Sequence, residues 1–337
     1  MAIVIIGSGI AGVSFAEKYR ALSGDAELIL ITRDHDGYYS RPLLSRGFSM
    51  SDIEQTIILK TFEQLRENDI NVISNSMVTA INRHDRTIAI SGPGQEKSLE
   101  YDTLILAQGS EAFIPPPLRP FANLFYCLNS LDDLKALRKV RQGLLNQGKQ
   151  PNWAIIGGGL IGCEVASDLA ASGDKVTLYH AMDRLMERQL VAEDSHLLLK
   201  VLHDSQVDVL FNQNVHDIAK EGDKVFIHTE TINEFDAIIV ACGFKPRTEL
   251  ADLADLAIGR GVKVNDYLQT SDKHIFALGD AAELPNGKLY AFILPIRSQA
   301  FWLAAHLANQ EKTAWQAPEF TTKAKVHGFT AKHPYQL

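Results

Sequence analysis

Two glycine-rich loops with the same pattern constrain the fold of this chain more than any other feature. The stretch "MAIVIIGSGIAGV" begins the chain, and "NWAIIGGGLIGCEV" repeats its pattern at residues 152–165. In each, an apolar run precedes Gly-x-Gly-x-x-Gly, the order of strand, tight turn and helix that binds a dinucleotide pyrophosphate. A second apolar run, "AELILIT", follows the first loop and supports this interpretation. The repeat predicts an α/β chain with two Rossmann-like dinucleotide-binding domains.

The glycines of each loop are expected to have separate tasks. Gly7 permits the turn, Gly9 lets the backbone approach the pyrophosphate, and Gly12 lets the helix pack closely on the strand. The predicted cofactor-binding set also contains other members of both loops, which are Ser8, Ile10, Ala11, Gly157, Gly159 and Gly162. A small-residue turn after a later apolar strand completes each unit, at Gly109 and at Gly243. Two dinucleotides in one chain indicate a flavin and a nicotinamide, between which a hydride passes.

The positions that normally contact the ribose depart from the usual pattern. In the first unit Thr32 stands where an acidic residue is usual, and Arg33 and Asp34 follow it. Either Thr32 with backbone groups binds the ribose, or Asp34 takes over that role. In the second unit the position is His180, and Arg184 is nearby without a second arginine to bind a 2′-phosphate. A neutral histidine accepts a hydrogen bond from the 2′-hydroxyl, so the sequence predicts a small preference for NADH.

Composition excludes several classes of function. The net charge of −8 comes from 33 basic and 41 acidic residues, with no basic block of the kind that binds nucleic acid. No apolar run reaches the length of a transmembrane helix, and the apolar start lacks the basic region of a signal peptide. The three cysteines are far apart, which argues against a disulfide framework or a metal site and favours a reducing cytoplasm.

A third motif resembles a known flavoprotein superfamily. The stretch "LQTSDKHIFALGDAAEL" is similar to the second FAD fingerprint of the flavoprotein disulfide reductases, and Asp280 would bind a ribityl hydroxyl. That resemblance implies a discontinuous FAD-binding domain of residues 1–113 and 244–312. It implies an inserted NAD-binding domain of residues 114–243 and a short tail of residues 313–337.

Five stretches resemble the rubredoxin and flavorubredoxin reductases of that superfamily: "YSRPLLSRGF", "GGGLIGCEVASDL", "ACGFKPRTELA", "GVKVNDYLQTS" and "FALGDAAE". The resemblance implies an enzyme that transfers electrons from NADH through FAD to rubredoxin or a similar small iron protein. Arg41 would be a cation that touches FAD, and Glu164 would lie near the flavin and the nicotinamide. Further FAD contacts implied by the family are Val78, Ile293 and Lys325.

The segment "LLSRG" carries Arg46 where the related NADH oxidases have a redox cysteine. Electrons would therefore leave the flavin directly for an external acceptor. Arg41 and Arg46 are candidate cations beside the reduced flavin, and Glu164 could pair with one of them. The alternative is two exposed loop arginines and an ordinary glutamate of a first helical turn.

The C-terminal stretch "PEFTTKAKVHGFTAKHPYQL" departs from the family, because it is short and polar where a C-terminal interface domain is expected. We expect that domain to be truncated in this chain. The stretch predicts either a frayed tail or, together with Arg41 and Arg46, a basic docking surface for the partner, formed by Lys323, Lys325, His327, Lys332 and His333. Rival interpretations are another flavin reductase (of nitrite reductase, dioxygenase or NADH oxidase type) and a catalytically weak regulatory protein that senses flavin or NAD. The sequence gives no indication of an oligomeric state.

Overall fold

A computed structural model describes residues 1–22 and 25–336, so residues 23, 24 and 337 of the predicted domains lie outside it. The strands are β1 Ala2–Ile6, β2 Glu27–Ile31, β3 Tyr38–Tyr39, β4 Ile58–Lys60, β5 Ile70–Ile73, β6 Met77–Asn82, β7 Thr87–Gly92, β8 Gln95–Glu100, β9 Thr103–Leu106, β10 Ser110–Ala112, β11 Asn152–Ile156, β12 Lys175–Tyr179, β13 Val207–Leu210, β14 Asp217–Glu221, β15 Lys224–His228, β16 Ile232–Phe235, β17 Ala237–Val240, β18 Phe244–Pro246, β19 Val262–Lys263, β20 Ile275–Ala277 and β21 Ala282–Glu283. The α-helices are α1 Ile10–Leu22, α2 Ile53–Thr56, α3 Phe62–Glu67, α4 Leu131–Asn146, α5 Leu160–Ala171, α6 Ala192–Asp204, α7 Glu249–Leu253 and α8 Ile293–Leu307.

The first compact unit contains residues 1–40, 58–111 and 245–320. Its centre is a parallel five-stranded sheet with the order β20-β9-β1-β2-β5. β1 and β9 are almost wholly apolar and buried, as expected for central strands of a parallel sheet that is covered on both faces. Helices α1 and α8 pack against each other, and β6, β7 and β8 form a separate antiparallel sheet. This is the Rossmann-like layering that the first glycine loop predicts.

The second compact unit contains residues 41–57, 112–244 and 321–337. Its parallel sheet has the order β13-β12-β11-β17, and β14, β15 and β16 form an antiparallel sheet beside it. Helix α4 begins with an N-cap: the Ser130 hydroxyl accepts the Asp133 N–H at 3.1 Å, and the Asp133 carboxylate accepts the Ser130 N–H at 2.9 Å. The α/β class and the repeated dinucleotide unit are therefore confirmed.

Two segments belong to a different unit from the one that the sequence predicts. Residues 41–57, assigned above to the FAD-binding domain, pack in the second unit, and so do the described residues 321–336 of the supposed tail. The Arg138 guanidinium on α4 helps to hold segment 41–57 in the second unit, because it donates to the backbone carbonyls of Gly47, Met50 and Ser51. Residues 313–320 stay with the first unit, where the indole N–H of Trp315 donates to Ser298 at 3.2 Å. Such long-range contacts leave no signature in local sequence patterns.

Among the described residues, no helix combines the length and the hydropathy that a membrane span requires.

Candidate functional site

The first glycine loop has the shape of a pyrophosphate cradle. Gly7 has a φ of +116°, and a Cβ there would collide with the backbone carbonyl of Ala107. A Cβ on Gly12 would collide with the carbonyl of Gly7. Because glycine has no Cβ, α1 can begin close to the end of β1. A Cβ on Gly9, in contrast, would meet no described atom within 4 Å. The Gly9 backbone thus faces open space at a helix N-terminus, the arrangement that binds phosphate oxygens.

The second loop repeats this geometry in the other unit. Gly157 has a φ of +117°, and a Cβ there would lie 2.5 Å from the carbonyl oxygen of Ala241. A Cβ on Gly162 would collide with the carbonyl of Gly157, and a Cβ on Gly159 would again find open space among the described residues. The residues present therefore fit a dinucleotide in each unit.

A hydroxyl network links the first loop to the end of β2. The hydroxyls of Ser8 and Thr32 lie 2.8 Å apart, and Ser8 also donates to the Asp34 carboxylate at 3.1 Å. The Thr32 hydroxyl in addition accepts the Asp34 N–H at 3.1 Å, and Thr32 is buried. Thr32 is thus largely occupied by protein groups, whereas the half-buried Asp34 carboxylate keeps acceptor capacity. Of the two alternatives for ribose binding, this network supports Asp34. The neighbouring Arg33 is exposed.

The predicted second fingerprint forms a tight turn at the end of β20. Gly279 has a φ of +67°, and its N–H donates to the Gln299 side chain at 2.8 Å. The Ser110 hydroxyl donates to the Asp280 carboxylate at 2.7 Å. The side-chain nitrogen of Gln299 and the side-chain oxygen of Gln108 are buried without a hydrogen-bond partner in the described chain. A polar ligand at this turn would account for such polar atoms.

Other predicted contacts in the first unit are apolar or structural. Val78 is buried in β6, Ile293 begins α8 and is 39% exposed, and Gly109 accepts the N–H of Arg247 at 3.0 Å.

Glu164 lies near the beginning of α5 and is 1% exposed. Its Oε2 accepts the Ser45 hydroxyl at 2.6 Å and the Lys325 ammonium at 2.5 Å, and its Oε1 accepts the Lys325 N–H at 2.8 Å. Arg46, one of the two arginines that could pair with Glu164, is not its partner. Arg46 Nη1 instead lies 2.7 Å from Nε2 and 3.0 Å from Nδ1 of His327. The sequence could not indicate Lys325 as the partner, because it stands 161 positions after Glu164.

A second buried carboxylate, Asp168, lies one turn further along α5. It accepts the N–H groups of Phe48 and Ser49 at 2.9 and 3.0 Å and the Ser49 hydroxyl at 2.5 Å. It also contacts Nε2 of His327 at 3.1 Å. Asp168 thereby attaches segment 41–57 to α5, a role that the sequence analysis missed.

A third buried carboxylate, Asp194 on α6, holds the C-terminal segment. It accepts the N–H groups of Lys332 and His333 at 2.9 and 3.0 Å, and it contacts Nδ1 of His333 at 3.1 Å. Burial alone would raise the pKa of Asp194, but these donors outweigh burial and lower it. Residues 321–336 are therefore docked on the second unit, and the expectation of a frayed tail is wrong.

His180 directly follows β12, as predicted, but its ring is already engaged. It is 7% exposed, and Nδ1 accepts the Gly158 N–H at 3.0 Å. Nε2 lies 3.0 Å from the Arg184 carbonyl and 3.2 Å from the Glu187 carboxylate. The expectation that His180 itself accepts a ribose hydroxyl conflicts with this geometry, because neither ring nitrogen is left over.

The cysteines have the properties of packing residues. Burial raises the pKa of Cys127 and of Cys242 to about 11, and it raises the pKa of the fully buried Cys163 further. Redox-active cysteines need accessible thiolates, so these three thiols are poorly suited to carry electrons at neutral pH.

Comparisons with known proteins agree with two dinucleotide sites. A sequence model described as "Pyridine nucleotide-disulphide oxidoreductase" matches residues 1–315. The chain is 31% identical over 313 residues to "Rubredoxin-NAD(+) reductase" of Alcanivorax borkumensis, covering 91% of this chain and 79% of that protein. It is 33% identical over 331 residues to "Nitric oxide reductase FlRd-NAD(+) reductase" of Escherichia coli, covering 96% and 83%. The structure is similar to that of the covalent putidaredoxin reductase–putidaredoxin complex, with a TM-score of 0.83, 27% identity, and coverage of 96% of this chain and 79% of that one.

Proposed function

The chain belongs to the pyridine nucleotide-disulphide oxidoreductase family, and from this premise we propose that it is an FAD-dependent NADH oxidoreductase that reduces rubredoxin or a rubredoxin-like domain. The observation that carries the proposal is the pair of matching cradles at Gly7–Gly12 and Gly157–Gly162, in a chain in which burial raises the pKa of all three thiols. Two dinucleotides without a redox thiol fit direct transfer to an external acceptor.

Each unit would hold one cofactor. In the first unit, the backbone around Gly9 would bind the FAD pyrophosphate, Asp34 the ribose and Asp280 the ribityl chain. In the second unit, the backbone around Gly159 would bind the NADH pyrophosphate. When bound, FAD takes up an electron pair from the nicotinamide and releases electrons one at a time to an iron centre. The remaining proposed cofactor contacts are Ser8, Ile10, Ala11, Thr32, Arg33, Arg41, Val78, Gly109, Gly243, Ile293 and Lys325.

The charged groups around α5 would serve orientation and charge balance rather than proton transfer. Glu164 is buried and receives three donors from Ser45 and Lys325, so its carboxylate is fixed in position and neutralised. Arg46, which lies within hydrogen-bonding distance of His327, would add a positive charge that this contact helps to hold in place. A fixed charge stabilises charge that develops on a nearby group without a reorganisation cost. Roles of Glu164 and Arg46 toward the cofactors are part of this proposal.

The proposed partner is a small iron protein, as the names of the similar proteins suggest. The predicted basic docking surface is weaker than the sequence suggests, because two of its lysines are paired with acids, Lys325 with Glu164 and Lys332 with Glu193. Two histidines of that surface also contact acids, His327 with Asp168 and His333 with Asp194. Paired charges contribute little net potential at a distance. Docking would therefore depend more on contact with the partner than on long-range steering. A cytoplasmic location remains a prediction.

An anaerobic acceptor panel tests the proposal. The FAD-loaded protein is mixed with NADH and, separately, with rubredoxin, a [2Fe–2S] ferredoxin and ferricyanide. We expect rubredoxin to be reduced at a higher rate than the ferredoxin. Faster reduction of ferredoxin would identify another acceptor class, and failure with all three acceptors would indicate a sensor rather than an enzyme. As a control, protein stripped of its flavin should regain activity with FAD but not with FMN, which lacks the pyrophosphate that the first loop would bind.

A further inference from the structure

We propose that Glu187 selects the nicotinamide dinucleotide by binding the free 2′-hydroxyl of its adenosine ribose, and that His180 is the residue that positions Glu187. This inference rests on the proposed function, because it concerns how the second unit distinguishes NADH from NADPH. It replaces the simpler idea that His180, which stands at the end of β12, contacts the ribose itself.

The tautomer of His180 follows from its neighbours. A backbone N–H can only donate, so the Gly158 N–H at 3.0 Å requires an unprotonated Nδ1. In the neutral ring the proton is then on Nε2, which has the Arg184 carbonyl and the Glu187 carboxylate within 3.2 Å as acceptors. Both nitrogens of His180 are used within the protein, and the ring has no acceptor to offer a ribose hydroxyl.

The segment after β12 folds back onto the second glycine loop. The Met186 N–H donates to the Gly158 carbonyl at 2.9 Å. A Cβ on Gly158 would lie 2.7 Å from both the His180 ring and the Leu185 side chain, so only glycine lets this segment come so close. Glu187 is therefore connected to the proposed pyrophosphate cradle through one histidine ring and one backbone hydrogen bond.

Arg184, the cation that could have bound a 2′-phosphate, instead contacts the segment that follows β12. The Arg184 guanidinium donates to the carbonyls of Leu190 and Glu187 at 2.7 and 2.9 Å and to the Ser195 hydroxyl at 3.3 Å. Both terminal nitrogens of Arg184 are thus engaged by groups of residues 187–195. Arg188 lies 3.7 Å from Glu187 but is 86% exposed, which makes a weak ion pair.

Glu187 has the properties that a ribose-reading acid needs. Its side chain is 21% exposed, so the carboxylate is neither buried nor fully solvated. His180 uses one side of Oε2, which leaves lone pairs for a vicinal diol. Its negative charge would repel a 2′-phosphate, so one residue supplies both the attraction to NADH and the discrimination against NADPH.

The test compares Glu187→Gln with the matched control Glu221→Gln, which changes an exposed glutamate on β14. Dissociation constants of NAD⁺ and NADP⁺ are measured by calorimetry on the FAD-loaded proteins, together with kcat/KM for NADH and NADPH with ferricyanide. We expect Glu187→Gln to weaken NAD⁺ binding about tenfold and to strengthen NADP⁺ binding, since a hydrogen bond to a charged group is lost and a repulsion is removed. The control should change neither constant by more than about twofold.

The positioning role of His180 is tested by His180→Phe, which keeps a ring but removes the hydrogen bonds of both ring nitrogens. We expect this variant to shift the NAD⁺ to NADP⁺ ratio in the same direction as Glu187→Gln. In the variant that carries both changes, the two effects should not add. An unchanged ratio in Glu187→Gln, or equal weakening of both nucleotides, would overturn the inference. Failure of the wild-type protein to bind either nucleotide would instead contradict the proposed function.

Discussion

Glu164 and Lys325 form a double contact, in which the glutamate carboxylate accepts both the ammonium of Lys325 at 2.5 Å and its backbone N–H at 2.8 Å. The pair connects α5 with the C-terminal segment, and Ser45 adds a donor from segment 41–57. A buried carboxylate is costly without such donors. The same interaction that neutralises Glu164 therefore also holds two segments of the second unit in place.

Removing the ammonium should destabilise the protein. Lys325→Met is expected to lower the free energy of unfolding by about 3 kcal/mol, because it leaves Glu164 charged and buried with fewer donors. Urea unfolding of the FAD-loaded protein measures the change. The control Lys323→Met alters an exposed lysine two positions away and should stay within about 0.5 kcal/mol of the wild type. An equally small effect of Lys325→Met would mean that the pair contributes nothing.

A substitution at Gly9 should affect cofactor binding without affecting folding, because the space beside Gly9 is open. Gly9→Ala is expected to leave the thermal stability of the flavin-free protein within a few degrees of the wild type, because the added Cβ meets no described atom. FAD affinity should fall about tenfold or more, since the methyl group would occupy space that the pyrophosphate needs. Fluorescence titration with FAD measures the affinity. Gly143→Ala, which adds a methyl group at another open site on α4, is the control and should bind FAD normally.

The cysteines should be dispensable. Replacing Cys127, Cys163 and Cys242 together by Ala is expected to keep NADH-to-ferricyanide activity within about tenfold of the wild type, a difference of about 1.4 kcal/mol in the activation free energy. The reason is that burial raises the pKa of each thiol, so little thiolate is present at neutral pH. Complete loss of turnover in a folded, FAD-loaded variant would reveal a redox role for one of them.

The docking of the C-terminal segment should depend on pH through Asp194. Its pKa in the folded protein is lowered, so its ionised form contributes stability above the unfolded value of about 4. That contribution is lost as the pH falls through the folded value. The difference in unfolding free energy between wild type and Asp194→Asn should therefore be largest near pH 6 and shrink toward pH 3. The control Asp204→Asn, at an exposed position, should show a small difference in unfolding free energy at both pH values. A difference for Asp194→Asn that does not change with pH would contradict the lowered pKa of Asp194.

Much of the fold could be predicted from short windows of sequence. The glycine loops, the apolar strands before them and the Ser130 cap all depend on residues within a few positions of one another. Steric limits on φ at Gly7 and Gly157, and the reach of a side chain to the backbone of the next turn, operate locally. A window of sequence therefore contains the information that these features need.

The sequence by itself thus determined two dinucleotide units, the order of strand, turn and helix at each glycine loop, and the lack of a cysteine in the "LLSRG" segment. Only the tertiary structure decided which charged groups meet. Lys325 rather than Arg46 pairs with Glu164, and the two ring nitrogens of His180 form hydrogen bonds with Gly158 and Glu187. Partners of buried charges are chosen by the packing of segments that lie far apart in the chain, because burial penalises an unpaired charge wherever its partner stands in the sequence.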